Sequence, residues 1–132
     1  MKADAIRSRI GEVDDADYLE VAVPEWGADF VVRVRTLTGA ERDRFLSVQM
    51  DVKGDGSVEP KLEGFHSYLA ALVMVDDDGA RVFPDADEGS EILGSKNADL
   101  VQRIAEQALA LNGLTAEVVE ENVENFDETP SA

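Results

Sequence analysis

The chain has 132 residues, of which 44% are hydrophobic, and this is enough for one ordinary domain with its own core. Its 29 acidic residues outnumber its 12 basic residues, and the resulting net charge of −17 disfavours binding to nucleic acids and to anionic membrane surfaces. The absence of cysteine and the single histidine exclude a disulfide framework, a thiol nucleophile and a multi-histidine metal centre.

The N-terminal segment, residues 1–17, mixes charged and small residues without a clear period. We predict a flexible lead-in with one turn of helix near residues 5–10. The segment lacks the apolar stretch of a signal peptide, and no stretch of the sequence approaches the roughly 20 apolar residues that cross a bilayer. We predict one folded domain over residues 18–126 and a disordered acidic tail over residues 127–132.

The domain is predicted to begin with a β-hairpin, because side chains alternate in the strand period over residues 18–23 and again over residues 30–35. Pro24 cannot donate a ladder hydrogen bond and Gly27 can adopt a positive φ, so residues 24–29 are predicted to form a turn longer than the two-residue type. The core is expected to receive Leu19, Val21, Val23, Phe30, Val32 and Val34.

The only tryptophan of the chain, Trp26, lies at the tip of this predicted hairpin. An aromatic side chain there either folds back on the core or anchors a partner, and the sequence leaves both alternatives open. We therefore take Trp26 as the first candidate for a partner contact.

The first long helix is predicted to run from Gly39 to about Met50. Thr38 is a favourable N-cap, and Glu41 can complete a capping box by accepting the amide of the cap residue. The inward side of this helix is expected to comprise Phe45, Leu46, Val48 and Gln49.

Four of the 12 basic residues fall between positions 33 and 44 and predict a local positive patch on an acidic chain. Arg33 and Arg35 belong to the outer face of the second strand, whereas Arg42 and Arg44 belong to the first turns of the helix. The patch either pairs with the protein's own carboxylates, where each exposed pair contributes little, or docks an acidic partner or another copy of the chain. Arg42 and Arg44 are therefore further candidates for partner binding.

Residues 51–61 are rich in glycine and charge and are predicted to form a mobile loop. Their spacing partly matches a calcium-binding EF-hand loop, but Lys53 stands at a ligand position and Leu62 stands where the bidentate glutamate belongs. A lysine among the ligands opposes the cation, so we predict no metal site here.

Residues 62–75 are predicted to form the most buried helix, since apolar side chains recur at helical spacing. Residues 76–79 should then turn the chain into a short strand over residues 81–83. The lone His66 has no recognisable catalytic partner. The inward side of the helix is expected to comprise Leu62, Phe65, Leu69, Leu72 and Val73.

Residues 84–91 are predicted to be irregular, and residues 92–94 to close a short helical turn. Ser95 is expected to cap a third helix over residues 96–111. A fourth helix over residues 115–125 is either a lid on the core or a segment that finishes folding on a partner. Its apolar strip, suited to helix-in-groove binding, supplies three more candidate contacts: Val119, Val123 and Phe126.

These elements predict an α+β fold in which a small antiparallel β-hairpin, with a possible third short strand at residues 81–83, packs against three to four α-helices. If residues 81–83 do not join the hairpin, a mostly helical domain with one hairpin is the alternative. The sequence has no phosphate-binding glycine loop and no nucleophile elbow. We expect a non-catalytic protein without a cofactor or a metal ion.

Three stretches resemble, in order and spacing, the tail assembly chaperones of long-tailed bacteriophages and prophages. The first is Val-Pro-Glu-Trp-Gly at residues 23–27, with the following strand and the Leu-Thr-Gly-Ala-Glu-Arg run that opens at residue 37. The second covers residues 69–83, where an apolar helix meets Asp-Asp-Asp-Gly and Arg-Val-Phe. The third combines Leu-Gly-Ser-Lys at residues 93–96 with Leu-Asn-Gly-Leu at residues 111–114, so the resemblance covers about residues 19–126.

The resemblance implies a non-catalytic assembly factor that binds the long apolar tape-measure protein and helps to recruit tail-tube subunits, with possible self-association along that client. It implies a location in the cytoplasm of the bacterial host and absence from the mature virion. Two alternatives remain: a structural tail or head-tail completion protein retained in the virion, and a small acidic inhibitor of a basic protein. The six candidate contact residues are our own inference and are not carried over from the family.

Overall fold

A computed structural model describes residues 1–114, which contain five α-helices and five short β-strands in an α+β fold, as predicted. None of the helices in this part of the chain is long and apolar enough to cross a membrane. The helices are α1 (Ala3–Glu12), α2 (Gly39–Gln49), α3 (Phe65–Val73), α4 (Ala86–Gly94) and α5 (Ala98–Leu111). The strands are β1 (Tyr18–Ala22), β2 (Val31–Arg35), β3 (Met50–Val52), β4 (Val58–Pro60) and β5 (Met74–Val75).

The predicted hairpin is confirmed, with β1 and β2 paired antiparallel and Val21 opposite Val32. Its turn contains a single 3₁₀ turn (Pro24–Trp26) followed by Gly27, whose φ is 155°. The prediction that Phe30 faces the core is wrong, because this side chain is 44% exposed. Phe30 precedes β2 and lies in the turn, where its ring packs edge-on against Trp26 rather than against the helices.

The third strand of the sheet is β5, at the end of the segment that the sequence predicted to be helical. The helix α3 ends at Val73, and β5 pairs antiparallel with β2, so that Val34 lies opposite Met74. At the predicted third strand, residues 81–83, the chain forms a single bridge between Arg81 and Val75. Helical periodicity did not predict β5, because the two residues of β5 take their strand conformation from pairing with β2. That pairing is a tertiary contact, which local periodicity does not report.

Residues 51–61, predicted to form a mobile loop, include most of a second hairpin. The strands β3 and β4 pair antiparallel, with Val52 opposite Val58. Asp55 shapes the turn between them by accepting hydrogen bonds from the amide and the hydroxyl of Ser57. Gly56 supplies the positive φ of 87° that this turn requires.

The segment predicted to be irregular before residue 92 forms the first two turns of α4. Asp85 caps this helix, since its side chain accepts from the amides of Asp87 and Glu88. The predicted N-cap of the following helix is wrong. Asn97, not Ser95, caps α5, because its side chain accepts the Asp99 amide over 2.9 Å.

The core is built around α3, which is the most buried helix, as predicted, and which contacts α2, α4, α5 and β2. All residues from 67 to 73 are buried. Leu62, predicted to face the core, is exposed because the helix begins only at Phe65, after Gly64 with a φ of 72°. Val48 is also exposed, contrary to prediction, since α2 buries Phe45 and Gln49 instead.

The N-terminal segment contains α1, which is longer than the single turn predicted, and none of its ten residues is buried. The helix predicted over residues 115–125 and the tail predicted over residues 127–132 lie outside the described residues.

Candidate functional site

Two of the four arginines predicted to form a positive patch are bound within the chain. The Arg33 guanidinium lies over the Tyr18 ring, 4.2 Å from its centroid. Arg35 forms a bidentate ion pair with Glu41, in which Nη1 lies 2.9 Å from Oε1 and Nη2 lies 2.8 Å from Oε2. Only 13% of the Arg35 side chain and 16% of the Glu41 side chain are exposed. Arg35 therefore follows the first alternative, pairing with one of the protein's own carboxylates, whereas Arg33 contacts an aromatic ring instead.

The capping box of α2 holds Glu41 in position for this ion pair. The Thr38 hydroxyl accepts the Glu41 amide, and the Thr38 amide donates to Oε1 of Glu41 over 2.9 Å, so the predicted box is confirmed. Burial alone would raise the pKa of Glu41, but the hydrogen bonds from Arg35 and Thr38 together outweigh burial, and this pKa lies below its usual value. The carboxylate is thus held in its ionised form between β2 and α2.

Replacing Glu41 with glutamine should lower the free energy of unfolding at neutral pH by about 1 kcal/mol. Because the folded state lowers the pKa of Glu41, the ionised carboxylate stabilises the fold above the unfolded-state pKa. That contribution is lost as the pH falls through the folded-state pKa, so the difference between wild type and E41Q should shrink in acid.

Urea unfolding at a series of pH values measures this difference. Glu63→Gln, at an exposed carboxylate outside the ion pair, is the control and should change the free energy of unfolding little at neutral pH. If E41Q lowers the free energy of unfolding by the same amount in acid as at neutral pH, the ionised Glu41 carboxylate is not the source of the stabilisation.

The other two arginines of the predicted patch lie on α2 and keep unused donors. Arg44 is exposed, and its Nε donates to the hydroxyl of the buried Tyr68 over 3.2 Å. Within residues 1–114, no hydrogen bond or ion pair engages the side chain of Arg42, which is half-buried. These two candidates therefore remain compatible with a contact to a partner.

A cavity of about 510 Å³ lies between α2, α3 and the start of α4, and Arg44 is on its wall. Arg81 lines the same cavity, because its bridge to β5 brings it beside α2. It was not among the residues predicted to contact a partner. We call this space the Arg81 cavity. It is lined by Ala40, Glu41, Arg44, Leu72, Arg81, Pro84, Asp85, Ala86 and Asp87.

The hairpin tip, residues 24–31, carries an apolar surface formed by three side chains. Trp26 is half-buried and packs against the core. It therefore follows the first of its two predicted alternatives, in which the side chain folds back on the core. Its ring meets the Phe30 ring edge-on, with centroids 6.3 Å apart. Phe30 and Val31 are 44% and 47% exposed. The exposed apolar surface therefore belongs mainly to Phe30 and Val31, which the sequence did not single out as contacts.

An ion pair braces this tip against α5. Arg103 donates to Glu25 through both terminal nitrogens, over 2.9 Å and 2.6 Å. The hydrogen bond from Arg103 is the main reason that the pKa of Glu25 is lowered to about 2. Arg103 also donates to the Ala22 carbonyl over 3.4 Å, so one guanidinium links α5 to both the turn and the end of β1.

The remaining candidates, Val119, Val123 and Phe126, lie outside the described residues. Within residues 1–114, no group of three or more histidine, aspartate or glutamate side chains is arranged to hold a metal ion. Comparison of the chain with protein-family models, curated proteins and solved structures finds no match.

Proposed function

We propose that this protein is a non-catalytic tail assembly chaperone that binds the tape-measure protein and helps to recruit tail-tube subunits during phage tail morphogenesis. The ordered resemblance of residues 19–126 to that family supports the proposal. We further propose that copies of the chain associate side by side along the client, in the cytoplasm of the bacterial host, and do not remain in the virion.

The exposed hairpin tip is the structural observation that carries this proposal. Phe30 and Val31 present apolar side chains to solvent at the hairpin tip, which the ion pair between Arg103 and Glu25 ties to α5. A braced apolar contact loses little conformational entropy when it binds, and an apolar client offers the surface that such a contact needs.

The net charge of −17 supports the same function for a physical reason. A long apolar client aggregates when its hydrophobic surface meets other copies of itself. Acidic subunits bound along the client would give it a large charge of one sign, and like-charge repulsion would keep the assemblies apart.

Co-expression with a phage tape-measure protein, followed by affinity capture and light scattering, tests the proposal. The client should become soluble and should co-purify with several copies of this protein. The double variant F30A/V31S should reduce capture by about tenfold, because such exposed apolar anchors carry most of a contact's energy. Val52→Ser, at an exposed valine on the β3–β4 hairpin, is the matched control and should capture the client normally.

A client that precipitates while this protein elutes alone would overturn the chaperone proposal. Stoichiometric protein in purified particles, detected by mass spectrometry, would favour the structural or completion role instead.

The strong acidity also favours a second candidate, a small inhibitor of a basic protein. Binding to basic proteins that disappears at moderate salt, without affinity for the client, would support that candidate.

A further inference from the structure

The helix α1 presents an apolar stripe to solvent. Ile6 and Ile10 lie one turn apart on the same face of the helix and are 44% and 67% exposed. None of the ten residues of α1 is buried, and within residues 1–114 no hydrogen bond or ion pair joins this helix to a strand or to another helix. Because an isolated helix shorter than about 12–15 residues is marginal in water, a surface that covers the stripe would stabilise α1.

The basic residues of α1 flank this stripe. At about 100° per residue, Arg7 and Arg9 lie on its two sides, whereas Asp4 and Glu12 lie on the opposite face of the helix. Arg7 lies 3.5 Å from Asp4, but the two side chains are 80% and 94% exposed, and such a pair contributes little. The face around the stripe is therefore apolar in the middle and positively charged at both edges.

The rest of the described chain has the complementary charge. Residues 1–13 contain three basic and two acidic residues, a net charge of +1, whereas residues 14–114 contain nine basic and 21 acidic residues, a net charge of −12. A second copy therefore offers the acidic surface that the edges of the stripe attract, and an anionic membrane would be repelled by the same acidic body. At about 0.15 M salt, the Debye length of about 8 Å screens the repulsion between two such bodies more than the attraction between charges in contact.

The outer face of α4 combines an exposed apolar residue with carboxylates. Ile92 is 44% exposed, and Glu88 lies one turn before it on the same side of the helix. Asp87 and Glu91 are exposed beside them, and residues 82–95 include no basic residue. Since the buried side of α4 packs on α3, this outer face remains available to a second copy.

The hairpin tip, residues 24–31, is a poorer match for α1. Of its two acidic residues, Glu25 is already bound to Arg103, which leaves Asp29. Arg33 lies two residues after Val31 on the same face of β2 and would repel the basic edges of the stripe. The tip thus stays available to a client.

We propose that α1 is a docking helix for a second copy of this chain and that it binds the outer face of α4 in that copy. Ile6 and Ile10 pack on Ile92 of the second copy, and the basic edges of the stripe meet the carboxylates of its α4. Because α1 and α4 are different surfaces, each copy can bind one neighbour through α1 and another through α4, so that copies line up head to tail. The inference rests on the self-association in the proposed function and not on the nature of the client.

Sedimentation velocity of the full chain at about 0.15 M salt, over a range of protein concentrations, measures this association. The wild type should form species larger than the 14.3 kDa monomer as its concentration rises. The variants R7E/R9E and E88K/E91K each place like charges in the contact and should raise the dissociation constant at least about tenfold. An equimolar mixture of these two variants should associate as the wild type does, because each variant then meets the opposite charge in the other.

The matched control for R7E/R9E is K53E/K61E, which makes the same change in net charge on the β3–β4 hairpin. Lys53 and Lys61 form ion pairs whose side chains are 42% or more exposed, so this change should alter the fold and the association little. Far-UV circular dichroism checks that every variant folds.

A wild-type chain that stays monomeric up to about 1 mM would overturn the inference. Capture of the client by such a monomer would leave the chaperone proposal standing, and loss of that capture in R7E/R9E would assign α1 to the client instead. Association of R7E/R9E at the wild-type level would exclude α1 from the contact, and the same result for E88K/E91K alone would exclude α4. A client that precipitates while the wild type still associates through α1 and α4 would contradict the chaperone proposal and support this inference.

Discussion

Replacing Phe45 with alanine should lower the free energy of unfolding by about 3–5 kcal/mol. Phe45 has no solvent-exposed surface and is, with Gln49, one of the two buried residues of α2. Its ring lies 5.3 Å from the Phe65 ring and 6.4 Å from the Tyr68 ring, centroid to centroid. Its removal would leave a cavity between α2 and α3 and would take away the main apolar attachment of α2.

Phe30→Ala is the matched control for this prediction, because it deletes the same atoms from the hairpin tip. The Phe30 ring is 44% exposed, so the loss should stay below about 1 kcal/mol. Urea denaturation followed by circular dichroism gives both free energies. Equal losses for the two variants would contradict the burial described for Phe45.

The contrast between these two phenylalanines also shows where sequence reasoning fails. Alternation places Phe30 on the same face as Val32 and Val34, and the latter two are buried as predicted. Alternation does not tell how far the helices extend beneath the sheet. At the hairpin tip, the conformation of the turn sets the direction of the Phe30 side chain, which packs against Trp26 instead of the core.

The elements that were predicted correctly have local causes. The Thr38 capping box, the hairpin around Trp26 and the buried stripe of α3 each depend on residues a few positions apart. The β5 strand depends instead on β2, about 40 residues earlier, which lies beyond the range of any periodicity. The start of α4 had a local signal in Asp85, but the acidic composition of the segment outweighed that signal in the prediction.

The candidate site shows the same difference between features with local causes, which the sequence predicts, and features that depend on distant residues. The arginines of residues 33–44 were recognisable as a cluster because they are close in the sequence. Arg35 forms an ion pair, whereas Arg44 uses only Nε within residues 1–114, and this difference depends on which face of β2 or α2 each side chain occupies. Arg81 joins Arg44 only because the turn after β5 returns the chain to the sheet, and no spacing in the sequence indicates that neighbourhood.

Gly89→Ala should lower the free energy of unfolding by about 2 kcal/mol, although the same substitution inside a helix ordinarily raises it by about 1 kcal/mol. Gly89 lies on the buried side of α4, where that helix packs against α3 and Phe83. A β-carbon added there would lie 2.6 Å from Cγ and 2.7 Å from Cβ of Phe83, and 2.9 Å from Cβ of Ala71. Since β-carbons cannot move without their backbone, α4 would have to shift away from α3.

Gly94→Ala, at the last residue of the same helix, provides the matched control. A β-carbon at this position would meet only the Ser67 hydroxyl oxygen at 3.9 Å, an ordinary contact, so alanine should raise the free energy of unfolding by up to about 1 kcal/mol. Urea unfolding should therefore give effects of opposite sign for the two substitutions. If both variants gain stability, the close approach of α4 to α3 and Phe83 is absent in solution, and Gly89 is an ordinary helix glycine rather than the residue that allows this packing.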